Sequence, residues 1–169
     1  GEFRKLLDEY KRNGCNLLVT GTVSDTARAR LTKEILGASD RDRKRVLAFT
    51  QRSTQQAESY LPTGIDPDDQ GVWIVDQMGE YRSVPTTADE FEISSADGSP
   101  ESLEQLQTEV VTAISFFDYS ENGLEPAQLR FTIDSLGELF DANGRVEVMQ
   151  FLHAITAIVR GVRGMAWYF

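Results

Sequence analysis

The stretch Gly14-Cys-Asn-Leu-Leu-Val-Thr-Gly21, followed by Ser24-Asp-Thr-Ala-Arg28 and a helical pattern as far as Leu36, decides the fold of this chain. Asn16 to Thr20 is a short apolar run closed by a glycine, which predicts a buried strand. Beyond it, Ser24 or Asp25 stands where a helix is capped, Ala27, Leu31 and Ile35 recur at helical spacing, and Gly37 follows the last of them. A strand that turns through glycine into a helix is a βα unit, and strands go on alternating with helices downstream.

Upstream, Leu6, Leu7 and Tyr10 lie at helical spacing among charges and predict a short amphipathic helix that ends at Asn13-Gly14. Downstream, Asp40 to Lys44 is a charged turn, Arg45 to Thr50 a second strand and Thr54 to Tyr60 a short helix. Pro62 to Gly71 is an acidic, turn-rich loop, and Val72 to Asp76 a third strand. From 77 to 100 the chain is polar, with Tyr81, Val84, Phe91 and Ile93 as isolated apolar anchors, and is expected to be a long surface connection. Ser99 as cap, Pro100 and Glu101 then open a helix whose stripe is Leu103, Leu106, Val110, Ile114 and Phe117, ending near Asn122-Gly123. Leu129 to Asp134 is a fourth strand, Leu136 to Phe140 a brief helix, and Arg145 to Gly161 a strong helix with Val148, Leu152, Ile155 and Val159 aligned. Met165 to Phe169 reads as a fifth strand. Strands alternating with helices predict an α/β fold with a mostly parallel sheet flanked by helices.

With 169 residues and 40% hydrophobic content the chain has enough apolar material for one core, so residues 1–169 are read as a single domain. Its close on an aromatic strand points to a natural protein that continues, and Gly1-Glu2-Phe3 reads as a cloning remnant. Acidic residues outnumber basic ones, 27 to 17, giving a formal charge of -10 that repels phosphate backbones and argues against nucleic acid as partner. No run approaches the roughly 20 apolar residues that span a bilayer, and no leader is visible, so no membrane and a cytoplasmic location are expected. Only Lys5, Lys11, Lys33 and Lys44 are lysines, a balance that fits life in concentrated salt; an ordinary acidic protein from a GC-rich genome is the plainer account.

The P-loop pattern G-x-x-x-x-G-K-[ST] places a lysine and a hydroxyl after a glycine-rich turn, to neutralise phosphates and to hold Mg²⁺. Reading on from Gly21, the three decisive positions hold Thr26, Ala27 and Arg28. The turn can survive, but its charge chemistry is gone, and Arg28 is expected to be a solvated arginine on a helix. The apolar run into Asp134-Ser135 is of the kind whose aspartate holds Mg²⁺ in P-loop proteins; the plainer role of Asp134 is to cap the next helix.

The order Gly14 to Gly21, Val46 to Thr50, Trp73 to Asp76, Phe131 to Leu136 and Phe151 to Ala154 resembles the KaiC/RadA branch of RecA-like ATPases, and most of all a haloarchaeal group with a degraded P-loop. The resemblance spans the chain from Gly14 onward. It implies a RecA/KaiC-like P-loop architecture, with Gly21, Thr26, Arg28 and Asp134 as the nucleotide-binding positions if any nucleotide is held. Active relatives place a catalytic glutamate just beyond the second strand, where this chain has Thr50-Gln51-Arg52, and glutamine cannot act as base. The expectation is therefore a pseudo-ATPase with no catalytic residue, no metal and no cofactor, acting as a regulatory or scaffolding protein through a protein partner or self-association. The second reading is a sensor that binds ATP or ADP without hydrolysis.

Remaining candidates are expected to be structural. Cys15 is the only cysteine and reads as a small core residue. His153, the only histidine, lies at the margin of its helix's apolar face without companion ligands and reads as structural. Asp66, Asp68 and Asp69 lack the spacing of a calcium loop and read as solvated acids, and Arg41, Arg43, Lys44 and Arg45, interleaved with Asp40 and Asp42, as turn charge.

Overall fold

The computed structural model describes residues 1–50, 57–77, 83–90 and 102–169. In chain order the elements are α1 (Glu2–Asn13), β1 (Cys15–Leu18), α2 (Asp25–Leu36), β2 (Lys44–Phe49), α3 (Ala57–Tyr60), β3 (Val72–Asp76), α4 (Leu103–Ser120), β4 (Leu129–Asp134), α5 (Leu136–Ala142), α6 (Arg145–Gly161) and β5 (Met165–Tyr168). The strands form one all-parallel sheet in the order β1-β5-β4-β2-β3. That order is neither of the usual doubly wound dinucleotide- and flavin-type orders.

One face of the sheet is apolar in the ordinary way. Val46, Ala48, Trp73, Val75, Phe131, Ile133 and Ala166 meet the stripes of α4 and α6, with Leu106, Val110, Ile114, Phe117, Val148, Phe151, Ile155 and Val159 all buried. Each such side chain contributes about 1.5–3 kcal/mol on burial, so these two helices need no other fastening. Trp73 sits against Phe116 and Phe117, with ring centroids 5.7 and 6.4 Å away.

The other face is built differently. Along β4 the residues turned toward α2 are Arg130, Thr132 and Asp134, all buried. α2 answers with few apolar groups: Ile35 and Leu36 are buried near its C-terminal end, with Thr32 between the sheet and the next turn. Of the expected stripe, Ile35 is buried and Leu31 packs beside it, but Ala27 is exposed while Arg28 and Thr32 face inward. At its start α2 is capped by Ser24, whose Oγ accepts the Ala27 N–H at 3.2 Å.

Two buried arginines hold the far end of α2. Arg45 donates through Nε to Leu36 O at 2.9 Å and through Nη2 to Gly37 O and Ala38 O at 3.1 and 3.0 Å. Arg130 donates to Ile35 O at 2.8 Å and Ala127 O at 2.8 Å, with its guanidinium over the Trp167 ring. The carbonyls of Ile35, Leu36 and Gly37 are the orphan acceptors of the α2 C-terminus, where positive charge is favourable. Arg43 reaches Ala127 O as well. The turn-charge reading of this cluster is thus corrected for Arg43 and Arg45. Burial, with Arg43 nearby, pushes the Arg130 guanidinium down to about 10.

Three further expectations change. The helix after the long connection starts at Leu103 with Ser102 as its cap, its Oγ accepting the Gln105 N–H at 3.1 Å; Ser99, Pro100 and Glu101 lie outside the described residues, as do Tyr81, Phe91 and Ile93. Within 77–100, Ser83 and Ala88 are buried, and Ser83 bridges Ile74 of β3 antiparallel. His153, expected at the margin of the apolar face of α6, is exposed there. The loop acids behave as read, with Asp69 closing its own turn on the Asp66 N–H at 3.0 Å.

Cys15 is free and partly covered, among Tyr10, Leu17 and Trp167. Burial pushes its thiol up, and the nearby Arg130 charge offsets only part of that. The folded protein therefore carries less thiolate at pH 8 than the unfolded chain. Alkylation by iodoacetamide at that pH is expected to run several-fold slower in buffer than in guanidinium; equal rates would contradict the placement of Cys15.

Candidate site at the carboxyl end of the sheet

In an open parallel sheet the ligand crevice lies beyond the carboxyl ends of two adjacent strands whose connections leave in opposite directions. Here those strands are β2 and β4. β2 continues through α3 to β3 on one side, and β4 continues through α5 and α6 to β5 on the other, with α3 and α6 on opposite faces. The crevice therefore opens at Thr50 and Asp134-Ser135.

It is filled from within the chain. Asp134 is 2% exposed in its side chain, and its Oδ1 receives Arg28 Nη1 at 2.5 Å; Arg28 is itself only 16% exposed. Oδ2 accepts the hydroxyl of Tyr60, at the end of α3, at 3.1 Å. The Arg28 guanidinium also stands 5.5 Å from the centroid of Phe169, just past β5. Asp134 thus draws together α2, α3 and the end of β5. The solvated reading of Arg28 is corrected, and so is the capping role of Asp134, since its carboxylate faces α2.

Capping around α5 falls to others. Ser135 occupies the N-cap position, and its Oγ donates to Glu138 Oε2 at 2.8 Å. Thr50 Oγ1 accepts the Ser135 N–H at 2.8 Å and lies 2.8 Å from Glu138 Oε2, its own donor direction. Thr50 N–H donates to Asp134 O at 3.0 Å, which ties the two strand ends together. The Asp134–Ser135 peptide bond is cis. Three buried polar atoms near α2 have no hydrogen-bond partner among the described residues, Arg28 Nε, Arg43 Nε and Thr132 Oγ1.

Of the four positions expected from sequence, the fold brings together Arg28 and Asp134. Gly21 is an exposed turn residue at φ 110 with open space about it. Thr26 is exposed on the first turn of α2 and faces an open groove of about 450 Å³ with Asp25, Ala29, Arg30, Lys33, Ser59 and Tyr60. Thr50, Tyr60, Glu138 and Phe169 were not singled out for this site; a strand end, a helix end and the last aromatic are their only local marks. Gln51 and Arg52 lie outside the described residues.

The arrangement does not fit a magnesium nucleotide. Segment 19–24 carries no cation, and both oxygens of Asp134 already face hydrogen-bond donors. Among the described residues no group of three or more His, Cys, Asp or Glu is arranged to hold a metal, and no helix is long and apolar enough to cross a membrane. Residues 14–169 match the model of a family of unknown function, DUF7504. No curated protein matches the chain.

Proposed function

The chain belongs to that family of unknown function, and from this premise we propose that it is a non-catalytic RecA/KaiC-like domain acting as a regulatory or scaffolding protein. The observation that carries the proposal is the Arg28–Asp134 pair. A guanidinium from α2 supplies the positive charge that a crevice carboxylate would otherwise take from a metal ion, and it cannot polarise a phosphate while so engaged. The strand–turn–helix at 15–36 and the aspartate closing β4 support the RecA-like part of the proposal; the acidic, lysine-poor composition supports a halophilic, archaeal source. With a charge of -10, the partner is a protein rather than a nucleic acid.

One observation favours the sensor reading. Gly21 has open space around it, and the first turn of α2 is exposed, so backbone N–H groups there remain within reach of a phosphate. A thermal-shift titration with Mg-ATP, Mg-ADP and free phosphate separates the two. The scaffold shows no rise in melting temperature at millimolar nucleotide, because only a ligand of the folded form stabilises it. A saturable rise with Mg-ATP or Mg-ADP would establish the sensor and end the first reading.

A further inference from the structure

The amino end of the sheet gathers positive charge in a chain that carries -10 overall. A cleft of about 190 Å³ opens beside the starts of β2 and β3. On its wall stand Arg41, Arg43, Lys44 and Arg45 against Asp42 and Asp69, four cations to two acids among the described residues. Both acids and the lysine are engaged elsewhere. Lys44 Nζ lies 3.3 Å from Asp42 Oδ1 and 3.0 Å from Glu121 Oε1. Asp42 Oδ2 accepts from Gln128 Nε2 at 3.4 Å, and Asp69 Oδ2 from the Asp66 N–H. The arginines have no such answer, since none of the ion pairs among the described residues includes Arg41, Arg43, Arg45 or Arg130.

Arg43 is the centre of this group. Burial pushes its guanidinium down, and the charge of Arg41 pushes it further. Next to burial, Arg43 is in turn the largest cause that lowers Arg45 and Arg130. Asp69 and Asp42 offset part of this at Arg45, whereas no carboxylate does so at Arg43. Its Nη1 donates to Ala127 O, but its Nε is buried without a partner among the described residues. Carbonyl oxygens satisfy hydrogen bonds of these arginines and leave the repulsion between their charges in place. A buried donor without an acceptor, set among like charges, is what a bound anion satisfies.

We propose that the cleft at Arg41, Arg43 and Arg45 binds a single phosphate group, carried either by free phosphate or by a phosphomonoester. Guanidinium forks match the oxygens of a phosphate. Arg45 is already fixed on the carbonyls of Leu36, Gly37 and Ala38, so it needs no ordering when the anion arrives. Its Nη1, whose one acceptor is Arg43 O at 3.5 Å, keeps a second N–H for the ligand. Arg41, exposed and without an ion pair, closes over it from outside. Asp42 and Asp69 set the size of the guest, because their charges repel a chain of phosphates and so exclude nucleoside triphosphates and nucleic-acid strands. The length of β2, on the order of 16 Å, separates this cleft from the Arg28 crevice, and neither reading depends on the other.

An amide-resolved NMR titration of the unsubstituted protein at fixed NaCl tests this, with inorganic phosphate in one arm and O-phosphoserine in the other. The expected result is a saturable shift of the amides of residues 41–45, 71 and 72 at millimolar ligand. Tighter binding of O-phosphoserine assigns the cleft to a phosphorylated ligand, and tighter binding of inorganic phosphate to the free ion. Arg41→Gln, at an exposed position whose side chain holds no carbonyl of α2, weakens binding about tenfold or more while leaving the ligand-free spectrum unchanged beyond its neighbours. Absence of a saturable shift in both arms at tens of millimolar ligand, shifts confined to residues 21–28, or an affinity indifferent to Arg41→Gln would each overturn the proposal.

Discussion

Replacing Arg28 with alanine is expected to destabilise the protein by about 3–5 kcal/mol, read from urea or guanidinium unfolding. The size follows from what is left behind. Asp134 sits at the end of the central strand with 1% exposure, and Arg28 pairs with it as a cation. The Tyr60 hydroxyl, at 3.1 Å, is a neutral donor to one oxygen. Arg28→Lys keeps the charge but loses the planar group over Phe169, and an intermediate loss is expected. The double replacement Arg28→Met with Asp134→Leu removes both charges, and should recover much of what either single change costs. A loss below about 0.5 kcal/mol for Arg28→Ala would mean that the guanidinium is solvated after all.

Gly14→Ala is expected to be of similar severity, about 2–5 kcal/mol. Gly14 joins α1 to β1 at φ 78 and ψ 164, a region that belongs almost wholly to glycine. A methyl group there would lie 2.6 Å from Arg163 C and 2.6 Å from Gly164 O, backbone atoms that lead into β5 and cannot swing aside. Gly64→Ala isolates the conformational part. Gly64 also has positive φ, 87°, but its nearest contact is the Ser39 side chain at 3.6 Å. Its expected cost is only about 1–2 kcal/mol. Equal losses at the two positions would show that the close approach to β5 does not matter.

The strands and the two long helices were plain in the sequence because their signal is apolar and local. Leu106, Val110, Ile114 and Phe117 on α4 read as one stripe and are one. The inner face of α2 was misjudged at its start for the opposite reason. Hydrophobic spacing cannot register a helix face that docks through Arg28, Thr32 and its own terminal carbonyls, so the pattern pointed to Ala27, which faces solvent. The site was half legible. Arg28 and Asp134 were each found from the order of motifs, but they lie 106 positions apart, and nothing near either one announces the other. Tyr60 is 74 positions from Asp134 and reads locally as the end of a short helix. Ser83 was lost in a polar connection because one antiparallel bridge leaves no periodicity to detect.

Because guanidinium groups fasten α2 near its start and at its end, the turn before it is presented on a frame already assembled. Whatever small anion or peptide arrives at residues 19–24 has no helix to order and little apolar area to cover, so its association should release heat with a heat-capacity change close to zero. A strongly negative value would mean that part of this scaffold forms only when its guest is present.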